Sequence, residues 1–508
     1  MPPQLLASRP GGTNLEIRER LLVRLSGELG TKSTRTRRRF LQVLLENVRR
    51  ALRAHGIEGR AIHTWSRVWV ESPEPERARD VLVGLFGVRG VNLGVEVPFT
   101  SLEDLTASLA PRCQDAVRGR RFGVRTRRVA GTPLSPHDVD VALGAALLDG
   151  SAGVDLDHPE VEVQVLVGPD RAFCATTQVA GPGGLPLGTG GRALALLSGG
   201  FDSPVAAWHV MHRGVELTLV HFDLGAGSTT AALTVAQVLM RRWAPGAEVQ
   251  VHVIDFAPLV AGLRQRAPGK VRQVLLKRAM YRAAGRLARE IDAEALVTGE
   301  ALAQVSTQTL RSLAVCEAAA GQIPVLRPLI GFDKPDIIAI ARRIGTHAAS
   351  EQVQELCSIA DGSKVVTWPQ VDRAERAEAE LEGLGGEEWL DRQLATRQIV
   401  DLGSWTAPAA EPDVEVPRLP PDAVVVDVRE PWEGPPIGDL QLPYSAALEL
   451  VSQLDPAQRY VLVCPAGQRS RALASALRIR GFQAYSLRGG LAAFGGDLAA
   501  AKVPAAPR

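Results

Sequence analysis

Cysteine is scarce in this sequence: five residues in 508, at Cys113, Cys174, Cys316, Cys357 and Cys464. So few thiols, odd in number and widely scattered, exclude the disulfide framework of a small secreted domain and leave catalytic or redox roles for any thiol that is used. No CxxC pair or Cys/His spacing supports zinc or an iron–sulfur cluster, so no metal centre built from protein ligands is expected. Long apolar runs are missing as well. None approaches the roughly 18 residues that span a bilayer, and no charged-then-apolar leader opens the chain, so the expected address is cytoplasmic. Nor does charge of one sign dominate, since 58 basic and 56 acidic side chains leave a formal +2. With 45% apolar and 22% charged residues, wholesale disorder is excluded. The length corresponds to about three domains of ordinary size, and there is no internal repeat.

The near-neutral total conceals an asymmetry. Residues 31–50 carry Lys32, Arg35, Arg37, Arg38, Arg39, Arg49 and Arg50 against a single acid, Glu46. Leu41, Leu44, Leu45, Val48 and Leu52 recur at helical spacing, which predicts an amphipathic helix whose first turns show guanidinium groups to solvent. A solvated helix face would account for that run alone. A second cluster, Arg118, Arg120, Arg121, Arg125, Arg127 and Arg128, alternates with Phe122 and Val124 in a strand-like rhythm. Two basic patches in one region point to a grip on nucleic-acid phosphates, which guanidinium forks suit.

A glycine- and proline-rich stretch at 181–191 interrupts all regular patterning and marks a domain boundary. From 192 to about 367 the text is α/β: apolar strand candidates at 193–197, 217–222, 249–254 and 295–298 alternate with helical stretches, predicting a parallel sheet covered on both faces. Residues 372–398, rich in Glu, Arg and Ala, read as a mostly exposed connecting helix. Pro408, Pro412, Pro417, Pro420 and Pro421 then suggest an extended linker. The last segment has strands at 423–428, 460–463 and 483–487 and a helix from about Arg471, a small separate α/β unit.

Chemistry concentrates at two turns. At the first, a buried strand runs into Ser198, Gly199, Gly200, Phe201, Asp202 and Ser203, and Pro204 opens a helix. Glycines at a helix N-terminus leave backbone amides free to receive an anion, and here the anion expected is phosphate. Neither the Walker pattern with its closing lysine nor the dinucleotide fingerprint is present, which removes support for ordinary phosphoryl transfer and nicotinamide chemistry. The hexapeptide S-G-G-F-D-S resembles the pyrophosphatase loop of PP-loop adenylating enzymes. That resemblance implies ATP cleaved between its α and β phosphates, with Asp202 helping to hold Mg2+ or phosphate and the hydroxyls of Ser198 and Ser203 near the departing pyrophosphate.

At the second turn a strand ends in Cys464, followed by Pro465, Ala466, Gly467, Gln468, Arg469 and Ser470, and then a helix. A thiol at a helix N-terminus beside an arginine is in surroundings that favour the thiolate. The pattern C-x-x-G-x-R-S resembles the active loop of rhodaneses, which carry transferable sulfur as a cysteine persulfide. Four residues separate Cys464 from Arg469, one fewer than a phosphatase of related architecture would have. Asp427 and Arg429 resemble the rhodanese D-x-R element. Cys357, in E-L-C-S-I-A-D-G-S-K, gains meaning once a persulfide donor is present, because removal of the terminal sulfur invites a resolving thiol.

Taken together, the chain resembles the tRNA sulfurtransferase family, the 4-thiouridine synthases also called ThiI. The opening L-V-R-L-S-G-E-L-G-T-K-S at 22–33 looks like the family's N-terminal ferredoxin-like domain, and T-G-E-A-L-A-Q-V-S-T-Q-T at 298–309 is very similar to its ATP-site motif. Ala303 stands where the family usually has Gly, and Thr307 where it has Ser. The resemblance implies a multidomain α/β fold: a ferredoxin-like domain at 1–62, a tRNA-binding THUMP domain at 63–170, a PP-loop domain at 190–370, a helical and proline-rich linker at 371–415, and a rhodanese-like domain at 416–508. It implies further that Leu196, Leu197, His221, Phe222, Lys277, Gly299 and Gln308 line the ATP site, that Lys334 lies near the adenylate, and that Cys357 resolves a disulfide with Cys464. The implied partners are tRNA, a cysteine desulfurase as persulfide donor, and a sulfur-carrier protein for the thiamine thiazole. Oligomeric state is left open, a homodimer included. The rival readings are another PP-loop tRNA-modifying ligase and a sulfur-relay protein serving mainly thiazole assembly.

Overall fold

The structure, a computed structural model, describes residues 16–64, 67–129, 131–224, 228–351, 369–381, 383–407, 414–444, 447, 451 and 454–501. The described strands form three sheets, and the chain divides into two compact units near Gly190.

In the first unit, β1 (Arg18–Leu25), α1 (Gly27–Gly30), α2 (Thr34–Ala54), β2 (Arg60–Thr64), β3 (Arg67–Glu71), α3 (Pro75–Leu82) and β4 (Val88–Pro98) follow one another. Apart from the short α1, this is a βαββαβ unit in the antiparallel order β2-β3-β1-β4, the ferredoxin-like arrangement. Ser33 caps α2 by accepting the Thr36 amide at 3.4 Å. Leu41, Leu44, Leu45, Val48 and Leu52 pack in one core with Leu21 and Val23 of β1, whose neighbours Arg20 and Arg24 point to the other face. The division expected at residue 62 falls inside β2. β3 pairs with both β2 and β1 and buries Val68 and Val70 in the same core, so the ferredoxin-like unit continues through β4. The sheet then extends with α4 (Leu102–Val117), β5 (Phe122–Arg128), α5 (Pro136–Ala146), β6 (Val161–Val167), β7 (Arg171–Ala175) and β8 (Val179–Ala180). β7, β6 and β5 lie in that order beyond β4, with β5 at the edge.

The second unit opens with β9 (Arg192–Leu196), α6 (Asp202–His212), β10 (Glu216–Asp223), α7 (Ser228–Trp243), β11 (Gln250–Asp255), α8 (Ala257–Arg266), α9 (Gly269–Glu290), β12 (Ala295–Val297), α10 (Leu310–Glu317), β13 (Val325–Leu326), α11 (Lys334–Ile344) and α12 (His347–Glu351). The strands run parallel in the order β13-β12-β9-β10-β11. The chain moves outward from β9 through β11 and then returns to the other side of β9. The switch point therefore lies between β9 and β12, and the loops leaving those two strands share the crevice where open α/β sheets bind ligands.

Residues 371–401 differ from the exposed connector expected. α13 (Val371–Ala379) and α14 (Glu387–Ala395) frame Ala374, Leu381, Trp389, Leu390 and Leu394, all buried in the core of this sheet. Trp389 meets Phe256 edge to face at 5.3 Å, and β14 (Gln398–Asp401) pairs antiparallel with β11 to end the sheet. The charged residues that suggested exposure are engaged too: Glu378 accepts from Arg278 at 2.8 Å and from Arg282 at 2.9 Å. A thin apolar stripe among Glu and Arg was enough to dock both helices. Pro408 and Pro412 lie outside the described residues.

The C-terminal part holds β15 (Glu415–Val416), β16 (Val424–Asp427), β17 (Leu440–Gln441), β18 (Arg459–Val463), α15 (Gln468–Ile479) and β19 (Gln483–Leu487). Its sheet is parallel, in the order β15-β19-β18-β16-β17. α15 starts at Gln468, before Arg471, because Gly467 at φ +79° turns the chain straight into it. Among the described residues no helix is long and apolar enough to cross a membrane.

If 371–401 is part of the domain, Trp389→Ala should lower the stability of this unit by about 3–5 kcal/mol. A reduced urea midpoint checks this; a true linker would leave the midpoint unchanged.

Candidate active site

The loop leaving β9 is shaped by glycine. Gly199 sits at φ +83°, a left-handed conformation that costs other residues. The Ser198 amide donates to Ser203 Oγ at 3.1 Å, and the two hydroxyls lie 3.3 Å apart, so the loop closes on the first turn of α6. From across the switch point comes Gly299, just past β12. A Cβ there would lie 2.6 Å from the Ser203 nitrogen and 2.7 Å from the Asp202 carbonyl carbon, closer than any side chain can approach. The two loops thus meet backbone to backbone at a helix N-terminus, an arrangement that receives an anion.

Asp202 ties three separate segments together. It accepts from Lys334 Nζ at 2.8 Å and from Gln304 Nε2 at 3.1 Å. Lys334 also stands 5.7 Å from the centroid of Phe201, whose ring is 5.3 Å from that of His347. Ser350 Oγ donates to the Gly200 carbonyl at 3.2 Å. Asp202 and Lys334 are expected from the sequence; Gln304 is not, although it lies within the 298–309 motif. Within that motif Ala303 has φ +59°, a left-handed conformation that favours glycine, the residue the resemblance leads one to expect there. The Gln308 carbonyl accepts the Ala303 amide at 2.9 Å, and its side-chain oxygen accepts the Val305 amide at 3.2 Å. Gln308 thus braces the loop, while Leu302, Val305 and Leu310 are exposed beside it.

Lys277 is held by Glu300, Nζ to Oε1 at 3.0 Å. The same buried carboxylate accepts from Arg327 Nε at 3.1 Å, Thr298 Oγ1 at 3.3 Å and the Tyr281 hydroxyl. Burial pushes the Glu300 carboxyl up, but Lys277, Tyr281 and Arg327 together outweigh it and hold the pKa below the usual glutamate value. Burial also raises the Tyr281 hydroxyl well above its ordinary range. His221 lies within 2.9 Å of the Leu197 carbonyl and 3.1 Å of Ser228 Oγ, and Ser228 donates to Asp223 at 3.0 Å. Burial depresses the His221 pKa below the ordinary imidazole value. Phe222, one residue from the end of β10, packs its ring 4.6 Å from that of Phe256 in the core. Leu197 is buried and Leu196 packs against the same core.

A second loop leaves β18, the middle strand of the C-terminal sheet. Cys464 is buried, 1% exposed. The Ser470 amide donates to its sulfur at 3.5 Å, and Ser470 Oγ stands 3.4 Å away, itself 2.8 Å from Ser486 Oγ. Gly490 closes the cup: a Cβ there would collide with the Gly467 nitrogen and the Cys464 carbonyl. Arg469 makes a two-pronged ion pair with Glu433, a partner the sequence reading did not name. Arg429 binds fully buried Asp427 through Nε at 3.0 Å and an NH2 group at 2.9 Å. The Asp427 carboxylate also accepts the Arg429 and Ile437 amides, so the D-x-R element braces the strand end. Tyr444 shares the Cys464 core, and burial pushes its hydroxyl up to about 12. Cys357 lies outside the described residues.

The basic residues expected to bind nucleic acid all lie in the first unit. Arg35, Arg38 and Arg39 are exposed on the opening turns of α2, with Lys32 and Arg37 half-buried, and Arg39 reaches the Thr189 carbonyl at 3.4 Å. Arg125, Arg127 and Arg128 are exposed on edge strand β5. Folding adds guanidinium groups that no local run revealed. Arg24 of β1 and Arg67 of β3 both have depressed pKa values, from burial first and then from Arg127, with Arg89 adding to the effect at Arg24.

The chain has clear relatives. Residues 20–92 match the ThiI ferredoxin-like domain, and residues 188–382 match the family described as thiamine biosynthesis protein (ThiI). A tRNA sulfurtransferase of Desulfurococcus amylolyticus is 37% identical over 483 residues, covering 93% of this chain and 98% of the relative. Another, from Pyrobaculum aerophilum, is 33% identical over 470 residues, covering 91% and 95%. Among solved structures, a 4-thiouridine synthetase–RNA complex with bound ATP aligns at TM-score 0.66 and 27% identity, covering 75% of this chain and 99% of that one.

Because Ala303 occupies a left-handed conformation, Ala303→Gly should stabilise the protein by about 1 kcal/mol, the relief of backbone strain exceeding the entropy glycine adds to the unfolded chain. Urea unfolding checks the sign.

Proposed function

The chain belongs to the ThiI family of tRNA sulfurtransferases, and from that footing we propose that it uses ATP to adenylate a tRNA uridine and then replaces the activated oxygen with persulfide sulfur, giving 4-thiouridine. The observation that carries the reading is the switch-point crevice, where the 198–203 loop, Gly299 and the Lys334–Asp202–Gln304 cluster converge. A glycine-lined helix N-terminus is suited to a polyphosphate substrate. In this reading the loop amides and the Ser198 hydroxyl take the β- and γ-phosphates. Mg2+ fits a site offering one carboxylate, Asp202, with phosphate and water completing its shell. When bound it would neutralise charge gathering on the departing pyrophosphate. Lys334, already on Asp202, is positioned to follow the α-phosphate as the uridine O4 attacks it. Lys277, fixed by Glu300, supplies a second cation. The exposed apolar side chains Leu302, Val305 and Leu310 offer a surface for an unstacked base.

For the sulfur step we read the C-terminal domain as rhodanese-like. Its support is the motif C-x-x-G-x-R-S on a helix N-terminus at the end of a central parallel strand. A cysteine desulfurase loads Cys464 with a terminal sulfur. That sulfur bonds to C4 of the adenylated uridine, the C4–O bond breaks and AMP leaves. Attack of the Cys357 thiolate on Cys464 Sγ breaks the sulfur–sulfur bond and leaves a Cys357–Cys464 disulfide, which an external thiol reduces. The first unit supplies the tRNA grip: burial first and then the neighbouring Arg127 depress Arg24 and Arg67, a cost that phosphate would relieve.

Three outcomes are expected. Asp202→Asn should leave tRNA affinity intact and cut tRNA-dependent pyrophosphate release by at least about 100-fold; normal release would remove Asp202 from the adenylation step. Arg35→Glu with Arg38→Glu should weaken tRNA binding and lower the slope of log K against log salt by about 2, read from titrations at several salt concentrations. A single turnover without reductant, mapped by non-reducing peptide mass spectrometry, should yield thiolated tRNA together with a Cys357–Cys464 peptide. Thiolated tRNA without that peptide would falsify the resolving role of Cys357 and point to another thiol as the one that breaks the sulfur–sulfur bond.

A further inference from the structure

Two cysteines unused by this chemistry meet in the core of the first unit. Cys113, on α4, and Cys174, on β7, are 61 residues apart in sequence, yet their sulfur atoms are 3.3 Å apart. Each is 2% exposed, among Leu109, Val117 and Val165. Cys316 is also buried, but no contact with a second thiol is seen among the described residues. We propose that Cys113 and Cys174 form a reversible disulfide when the protein meets a peroxide, and that this bond braces the basic segment enclosed between them.

The chemistry balances within the pair. The Cys113 thiolate attacks one peroxide oxygen, the O–O bond breaks, and a sulfenic acid and one water result. The Cys174 sulfur then displaces the sulfenic hydroxyl, giving the S–S bond and a second water. Two thiols and one hydrogen peroxide become one disulfide and two waters, with two electrons passing from sulfur to oxygen. The pair is prepared for unequal roles: the hydrogen bond from Cys174 holds the Cys113 thiol below its ordinary pKa, while that contact and burial raise Cys174 well above. Forming a bond of about 2.05 Å asks the sulfurs, 3.3 Å apart, to close by only about 1.2 Å. Burial admits a peroxide more readily than a bulky disulfide, and a small thiol reverses the bond by exchange after local opening.

The consequence follows from what the loop contains. Between the two cysteines lie Arg118, Arg120, Arg121, Arg125, Arg127 and Arg128, the second basic cluster. Closing so long a loop removes conformations from the unfolded chain and leaves the native strand where it is. Oxidation should therefore raise the unfolding temperature of this unit by about 10 °C and leave tRNA affinity unchanged.

The test treats the native full chain with hydrogen peroxide, quenches by acid and alkylation in denaturant, and maps peptides without reduction. Expected are a Cys113–Cys174 linked peptide, its loss after dithiothreitol, and a rise in unfolding temperature that is missing when Cys113→Ala is compared with its own reduced form. That comparison cancels any contribution from Cys464. Recovery of both cysteines as alkylated thiols or as separate sulfinic acids, or a linkage found only in protein oxidised after unfolding, overturns the disulfide. A linked peptide with no temperature shift overturns the bracing role. None of these readouts depends on thiolation activity, so failure here is distinct from failure of the proposed reaction.

Discussion

The backbone of Gly299 lies so close to the first turn of α6 that no side chain fits between them, and the architecture of the candidate active site follows from that contact. It requires β12 to lie beside β9, which places the return crossover of the sheet on that side and opens the crevice at the switch point. It brings the 298–309 motif against the 198–203 loop, so that Gln304 can reach Asp202. It also puts no side chain from position 299 over the helix N-terminus, which helps keep backbone amides open to phosphate.

Around that contact the acidic residues divide by burial. Glu300 is enclosed by Lys277, Arg327, Tyr281 and Thr298. Removing any one of these would leave a charge or donor unpaired in the interior, so this carboxylate serves as a post on which the cations are hung. Asp202 is more exposed and is held by two long, flexible side chains. Such partners can rearrange when a polyphosphate arrives, and Lys334 can pass from carboxylate to phosphate without leaving the crevice. The same backbone logic recurs in the C-terminal domain, where Gly490 and Gly467 meet above Cys464. There the cup holds a sulfur, and Arg469 and Arg429 of the same domain are kept by Glu433 and Asp427.

Some of this was legible in the sequence because it is local. A strand, a glycine turn and a helix with proline at its start are decided by neighbours along the chain, and β9, β10, β11, β18 and β19 fall close to where apolar runs put them. The two loops stand out the same way, through short motifs that resemble those of known families and lie between a strand and a helix N-terminus. Residues 371–401 were misread because composition averages over both faces of a helix. A few apolar positions, Trp389 and Leu390 among them, fix the docking of α14, while the glutamates and arginines that dominate the count serve ion pairs across the same surface.

What the sequence by itself determined was the identity of the chemical parts and the turn that presents each one, since backbone conformation at Gly199 or Gly467 depends on nothing farther than a few residues away. The tertiary structure alone decided which parts meet. Sheet order joined Asp202 to Gln304 and Lys334, more than 100 residues downstream of it, and gave Arg469 its Glu433. It set Cys113 against Cys174 across a helix and a strand. Such pairings come from strand register and from the closing of apolar cores, which sum many weak contacts over the whole domain, and no local pattern carries that sum.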